Sequence, residues 1–168
     1  MDYFAHAAWS LILFQKSKKV WYAVLFGILP DTCSWLIYLL YRIMSGSSFG
    51  RQELVNLPSW MPTLYGISHS LIICLVIIVV TFLIFYLLQK QLPYVMLAWP
   101  LHIFIDIPTH SRDFLPTPFL WPLSDYAFPG MSWSTPWFWI LTWIAIIFTI
   151  TILFVRKKSI AQKRAHTA

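Results

Sequence analysis

The chain alternates long apolar stretches with short polar ones, and the lengths of the apolar stretches predict membrane-spanning helices. A helix needs about 20 apolar residues to cross the hydrocarbon core of a bilayer. Four stretches approach or exceed this length, at residues 20–44, 71–88, 92–109 and 137–155. A fifth, at residues 3–14, is about two-thirds of a crossing, which indicates a half-embedded or tilted helix. The pattern predicts an all-α transmembrane bundle with four full spans and a short N-terminal helix.

The composition supports a membrane protein and argues against an ordinary soluble domain. Of the 168 residues, 59% are hydrophobic and 11% are charged, whereas soluble domains carry about 25% charged residues. We expect one domain over residues 1–158 and a basic, disordered tail over residues 159–168. The net charge of +6 does not indicate a nucleic-acid partner, because the Lys and Arg residues lie in short clusters beside the apolar stretches.

These basic clusters predict the orientation of the chain in the cell (inner) membrane. Residues 16–19, Lys90 and residues 156–164 fall on one side of a four-span bundle, and the positive-inside rule makes that side cytoplasmic. The C-terminus is then cytoplasmic as well. Three basic residues lie on or near the outer side and go against the rule: Arg42, Arg51 and Arg112.

The second outer loop, at about residues 111–136, is dense in proline and aromatic residues. Proline removes a backbone donor and fixes φ, so a long regular helix is excluded there. Aromatic residues are enriched where a membrane meets water. We therefore expect this loop to lie at the level of the lipid headgroups.

Six ionisable residues lie in or at the ends of the apolar stretches, where lipid or packed helix is expected. A charged group at the centre of a bilayer costs about 2.5–3.5 kcal/mol even on the lenient insertion scale. Metal coordination would offset this cost, because imidazole and carboxylate groups are ligands of zinc and related cations. The candidate metal ligands are His6, Asp31, His69, His102, Asp106 and His110.

The segment HIFIDIPTH gives the sharpest spacing. His102 and Asp106 are four residues apart, so on an α-helix they share one face and can contact one ligand together. His110 continues the same stripe, but Pro108 is expected to bend or end the helix before it. The alternative is that Asp106 pairs with a histidine as a buried polar contact only.

Local structural roles compete with metal binding at the other positions. Asp31 follows Pro30 and is a good N-cap for a helix that restarts there. Ser68 could cap the following helix and leave His69 in its first turn. His6 lies among alanines, which permit close helix packing, so it could face the bundle interior.

The ordered motifs resemble a known family. An early histidine (His6) is followed by GILPD, then GISHS, then HIFIDIPTH and a proline-rich FLPTPFLWPLS segment. This order resembles the YdjM-like inner-membrane proteins, which are described as membrane-bound metal-dependent hydrolases. The resemblance implies ligand or catalytic roles for five residues, with His110 as a weaker sixth match: His6, Asp31, His69, His102 and Asp106. The chain departs from the family at Tyr65-Gly66, where a basic residue and glycine often stand.

The hydrolase hypothesis assigns a role to each candidate. A divalent metal, expected to be zinc, would lower the pKa of its bound water toward 7 and so give a hydroxide nucleophile. A carboxylate not engaged by the metal, Asp31 or Asp106, would act as general base, and Arg112 would hold an anionic phosphate. The substrate is expected to be lipid-like, entering from the membrane beneath the proline-rich loop.

Two other function classes remain open from the sequence. Intramembrane His and Asp residues also form ion relays, so a small transporter is the main alternative, and four spans would require it to form a homo-oligomer. In the third hypothesis, an assembly protein uses the polar residues only to join helices. No GxSxG, Walker or HExxH motif is present, which disfavours serine-hydrolase, nucleotidase and zincin chemistry.

Overall fold

The computed structural model describes residues 1–46, 57–113 and 115–166, with side chains described as far as residue 162. Arg51 and Glu53 lie outside the described residues. The all-α prediction is confirmed, because the described part of the chain contains helices and no strand. The α-helices are α1 (Tyr3–Leu13), α2 (Val20–Asp31), α3 (Ile37–Met44), α4 (Trp60–Ser68), α5 (Leu71–Leu87), α6 (Ala98–Thr109) and α7 (Pro136–His166).

The number of helices long enough to cross a membrane is smaller than the four predicted. Among the described residues, Val20–Met44 and Pro136–Gln162 pass by length and composition, and a third crossing is present if α4 and α5, bent by 46° at their break, form one span. Helix α6 has only 12 residues, so it is about 18 Å long at 1.5 Å per residue. This is shorter than a hydrocarbon core of about 30 Å. Pro108 and the turn at Tyr94–Leu97 account for the shortening.

Helices α1 and α2 pack closely because Gly27 faces α1. A Cβ atom on Gly27 would lie 1.9 Å from the Ser10 hydroxyl oxygen and 2.8 Å from the Ser10 Cβ. Small residues at a helix contact let the two backbones approach, which is how helices associate in lipid. The short N-terminal helix predicted from the sequence is present as α1, and this contact places it against the first long span.

Replacing Gly27 by alanine is expected to destabilise the α1–α2 contact by about 1–2 kcal/mol, because the added methyl overpacks against Ser10. Thermal unfolding in detergent measures the change. The double variant Gly27→Ala with Ser10→Gly moves the methyl to the other helix and is expected to recover most of the loss. An unchanged unfolding temperature in the single variant would contradict the packing described.

The first long span is not interrupted at Pro30. Its α-helix changes to a wider π-helical turn just after that residue. The chain continues from α2 through a π-helical turn at Thr32–Leu36 into α3. Two hydroxyls bond to carbonyls in this region: Thr32 donates to the Ile28 oxygen (2.8 Å) and Ser34 to the Pro30 oxygen (3.0 Å). Asp31 makes no capping hydrogen bond with its side chain. The helix-restart role proposed for Asp31 is therefore not found, and its carboxylate turns inward.

The proline-rich loop forms no helix in its described residues, and its backbone is bonded to two helix ends. The Phe119 carbonyl accepts a hydrogen bond from the Leu71 amide (2.9 Å) at the start of α5. At the end of α6, the amides of Met131 and Trp133 donate to the Pro108 and Thr109 carbonyls, both at 2.9 Å. The loop thus joins the α4–α5 break to the end of α6.

Helix α7 lies at the edge of the bundle and contacts α1. Ile146 packs with Ala5 and Ile12 in a small apolar cluster. Asp2 joins the two helices, because its Oδ1 accepts from the Ala5 amide (2.9 Å) and its Oδ2 from the Trp143 indole (3.2 Å). The helix extends to His166, in keeping with its Ala, Gln, Lys and Arg residues, which are good helix formers. The disorder expected for the tail from residue 159 stays a prediction.

Candidate metal centre

Four of the predicted ligands converge on one buried point between α2, the α4–α5 break and α6. One ligand atom from each of Asp31, His69, His102 and Asp106 lies within 4.8 Å of the other three. The two imidazole Nε2 atoms are 3.2 Å apart. His102 and Asp106 approach to 3.1 Å within α6, which confirms that the spacing of four places them on one helix face.

Hydrogen bonds to backbone carbonyls orient both imidazoles. His102 contacts the Gly27 carbonyl through Nδ1 at 2.7 Å, and His69 contacts the Tyr65 carbonyl through Nδ1 at 3.1 Å. A carbonyl oxygen only accepts, so His102 Nδ1 carries the proton, and in the neutral ring its Nε2 presents a lone pair. His69 Nδ1 also lies 2.9 Å from the Ser68 hydroxyl, so both partners hold its ring in place. Metal-binding histidines typically donate their other ring N–H in this way.

His102 Nε2 and Asp106 Oδ2 therefore face each other with no proton to share while the His102 ring is neutral. The Asp106 Oδ2 atom is buried and makes no hydrogen bond to the described residues, although it lies 3.1 Å from His102 Nε2 and 3.6 Å from His69 Nε2. Lone pairs and carboxylate charge at these distances repel unless a positive charge lies between them. A divalent cation relieves all of these contacts at once, whereas a proton on one ring relieves only the contacts of that ring.

The distances also fit the size of a metal site. Nitrogen and oxygen ligands at about 2.0–2.2 Å from zinc lie about 3.4 Å from one another in a tetrahedron. The separations from His69 Nε2 to Asp31 and Asp106 oxygens are 3.5 and 3.6 Å, and those from His102 Nε2 are 4.0 and 3.1 Å. Two imidazoles and two carboxylates suit zinc and other first-row divalent metals. The residues present fit such an ion.

His6 lies beside this group without joining it. Its Nε2 is 2.9 Å from Asp106 Oδ1, and its ring stacks on His102 with 3.6 Å between centroids. The Met1 amino group contacts the same carboxylate oxygen and donates to the Thr109 hydroxyl (3.0 Å). His6 therefore supports Asp106 and His102 from the α1 side, and direct ligation by His6 stays a prediction.

His110 and Arg112 are farther from the convergence point. The Nδ1 atom of His110 lies 3.2 Å from the Asp106 carbonyl and 3.5 Å from its Oδ1. Helix α6 ends at Thr109, as Pro108 predicted, so His110 contacts the site from the helix end. Arg112 donates to the Ala127 carbonyl (3.1 Å) and is exposed. Metal binding by His110 and phosphate binding by Arg112 stay predictions.

His69 owes its position to the break between α4 and α5. Helix α4 ends at Ser68, and the Ser70 hydroxyl caps α5 by accepting from the Ile73 amide (3.1 Å). The expectation that Ser68 caps the next helix is corrected: Ser70 is the cap, and His69 lies in the break. The Trp99 indole donates to the Ser68 carbonyl (3.0 Å) and so joins the break to α6.

A cavity of about 430 Å³ adjoins the centre on the side of Asp31. The Asp31 side chain is 12% exposed, whereas those of His69, His102 and Asp106 are at most 1% exposed. Asp31 is thus the ligand that meets the cavity. Its wall also includes polar Tyr65 and His110 beside apolar Phe4, Trp35 and Trp133.

Two contributors to the site were not predicted from the sequence. The Gly27 carbonyl orients His102, which lies 75 residues later in the chain. Every residue has a backbone carbonyl, so the sequence does not indicate which one makes such a contact. Tyr65 stacks on His69 with 3.8 Å between centroids. The only signal for Tyr65 was its place four residues before His69, one helical turn away.

Comparison with known proteins agrees with the motif order. A family model described as YdjM inner membrane protein matches residues 1–167. No curated protein and no solved structure matches the chain.

Proposed function

The chain belongs to the YdjM inner membrane protein family, and from that premise we propose that it is a membrane-embedded, metal-dependent hydrolase of lipid-like substrates. The observation that carries the proposal is the arrangement of the two Nε2 atoms, 3.2 Å apart, around an Asp106 oxygen that has no hydrogen bond to the described part of the chain. Buried polar groups are normally paired. A purely structural cluster has no reason to leave these three atoms facing one another.

His69, His102 and Asp106 would hold the ion, which we propose to be zinc, and would leave one position open on the side of Asp31. A divalent cation in such a site lowers the pKa of a coordinated water and polarises an ester or phosphoryl oxygen. His102 is fixed in one tautomer by the Gly27 carbonyl, and the His69 ring is held at Nδ1 by the Tyr65 carbonyl and the Ser68 hydroxyl. This preorganisation means that the ligands need little rearrangement to bind the ion.

The two carboxylates differ in what they can do beyond ligation. Asp106 is enclosed by His6, His102 and His110, so its role is to hold the centre together. Asp31 borders the cavity and has no capping bond to its own helix. We therefore propose Asp31 as the group that accepts a proton from the attacking water, because a general base must reach the substrate side.

The substrate class follows from the membrane setting and the cavity wall. Phe4 is 71% exposed at the protein surface and also lines the cavity, so an apolar chain in the bilayer could reach Asp31 without crossing a polar surface. Asp31 lies 12 residues beyond Lys19, or about 18 Å along a helix. If the lysines face the cytoplasm as proposed, the centre lies in the outer half of the membrane.

Metal analysis of the purified protein tests this function. We expect about one zinc ion per chain, loss of that ion on dialysis against a chelator, and a lower unfolding temperature in the stripped protein. Stabilisation by a bound ligand grows with its concentration, reaching about 2.7 kcal/mol at 100 times its dissociation constant. Absence of stoichiometric metal, together with unchanged stability in His102→Ala, would contradict the proposal.

A further inference from the structure

The hydroxyl of Tyr65 is a buried polar group beside the centre that has no hydrogen bond of normal geometry to the described residues. Tyr65 is 2% exposed, so bulk water does not satisfy this hydroxyl. A buried donor left unpaired costs stability, and a native structure that keeps one calls for an explanation. Phenylalanine would fill the same space without that cost.

The Tyr65 ring is held in place relative to the candidate metal centre. It stacks on the His69 imidazole with 3.8 Å between centroids and 21° between planes. The Tyr65 carbonyl also lies 3.1 Å from His69 Nδ1. The same residue therefore orients the ligand and fixes its own hydroxyl, which is the arrangement a preorganised donor needs.

A second unpaired hydroxyl belongs to Thr117 in the proline-rich loop. Thr117 is 3% exposed, and its Oγ1 has no hydrogen bond to the described residues. It is the hydrogen-bonding neighbour of the Tyr65 phenol, although the geometry is not that of a normal hydrogen bond. A bond between the two hydroxyls would use only one of their two O–H donors, so one donor is left for an oxygen-bearing ligand.

We propose that Tyr65 donates a hydrogen bond to the substrate oxygen that gains negative charge during hydrolysis, with Thr117 supporting it. This inference rests on the proposed function and narrows its substrate class to an amphipathic carboxylic or phosphoric ester. The ester oxygen lies between Tyr65 and Asp31, and the alkyl part lies along Phe4, Trp35 and Trp133. One water is consumed, the ester becomes an acid and an alcohol, and the phenol keeps its proton throughout.

The test uses hexylphosphonate, which carries a tetrahedral anion and an alkyl tail and is not hydrolysed. Its binding to zinc-loaded protein is measured by calorimetry for the wild type, Tyr65→Phe and the matched control Tyr38→Phe. Tyr38 is also buried, at 5% exposure, and does not line the cavity. Hydrogen bonds to charged groups are the strong ones, so we expect binding about 10- to 100-fold weaker in Tyr65→Phe and within about twofold in the control.

Zinc content in the same samples separates this inference from the proposed function. We expect Tyr65→Phe to keep its zinc, because the ring and its stacking on His69 are retained, and to unfold at the same or a higher temperature. Tyr65→Leu removes the stacking and is expected to lower zinc affinity. Equal phosphonate affinity in zinc-replete Tyr65→Phe and wild type would overturn the Tyr65 role alone, as would loss of zinc from Tyr65→Phe. Wild-type protein without zinc would overturn both.

Discussion

Asp106→Asn is expected to abolish metal binding and to make the protein insensitive to chelators. Mutation of a group that only hydrogen-bonds to a metal ligand typically weakens metal affinity by about 10- to 100-fold. Loss of a direct ligand is therefore expected to weaken metal affinity by more than about 100-fold. The asparagine amide also brings N–H donors to a site where His102 Nε2 lies 3.1 Å from Asp106 Oδ2. Those donors can satisfy a lone pair that a cation would otherwise satisfy.

Two measurements separate a metal centre from a buried ion pair at Asp106. In the metal reading, zinc raises the unfolding temperature of wild type but not of Asp106→Asn, in addition to any difference between the metal-free forms from the altered contacts of residue 106 with Met1 and His6. In the ion-pair reading, the variant is less stable than wild type with or without zinc, since a charge partner of a buried histidine is lost. Asp125→Asn removes an exposed carboxylate and serves as the matched control, with no expected effect.

Gly130→Ala is expected to cost about 3 kcal/mol of stability and to displace the loop beside the cavity. A Cβ atom there would lie 2.5 Å from the Pro108 oxygen and 2.6 Å from the His110 oxygen. Both obstacles are backbone atoms at the end of α6, so no side-chain rotation can relieve them, and overpacking of this kind costs about 1–3 kcal/mol. Thermal unfolding and hexylphosphonate binding measure the two effects.

The other glycines provide graded controls for this substitution. Gly46→Ala meets no atom within 4 Å, although its φ of +62° makes it strained, so a cost of about 1 kcal/mol is expected. Gly66→Ala meets the Trp121 ring at 3.3 Å, where a small shift suffices. A Gly130→Ala protein no less stable than Gly46→Ala would show that the loop does not rest on α6 as described.

The polar residues of the site could be predicted because placing an ionisable side chain in a bilayer costs free energy, so such residues are rare there without a role. His102 and Asp106 needed only helical spacing, and their contact follows from one element. Asp31 and His69 reach the same point only because α2 and the α4–α5 break both pack against α6. The hydrophobic pattern of the sequence does not predict that packing. Here the order of motifs resembling a known family carried the prediction, and the geometry then grouped these four more tightly than His6 or His110.

The errors share a physical cause, since apolar length does not determine where a helix ends. Residues 92–109 are apolar enough to suggest a span, yet the turn at Tyr94–Leu97 and Pro108 leave α6 with 12 residues. Asp31 was expected to cap a restarted helix, but a π-helical turn accommodates Pro30 without a break. Ser68 and Ser70 are equally good caps by composition, and only the position of the bend decides between them.

The long sequence separations within the centre have a consequence for biogenesis. Asp2 and Trp143 are 141 residues apart, His6 and Asp106 are 100 apart, and His69 and His102 are 33 apart. During synthesis from the N-terminus, α1 and α2 are made before the partners of His6 and Asp31 exist. Asp31 first meets a partner when His69 is made, and His6 must wait for Asp106 in α6. Cation loading can only follow that step, so a filled centre marks a chain whose insertion has reached its later helices.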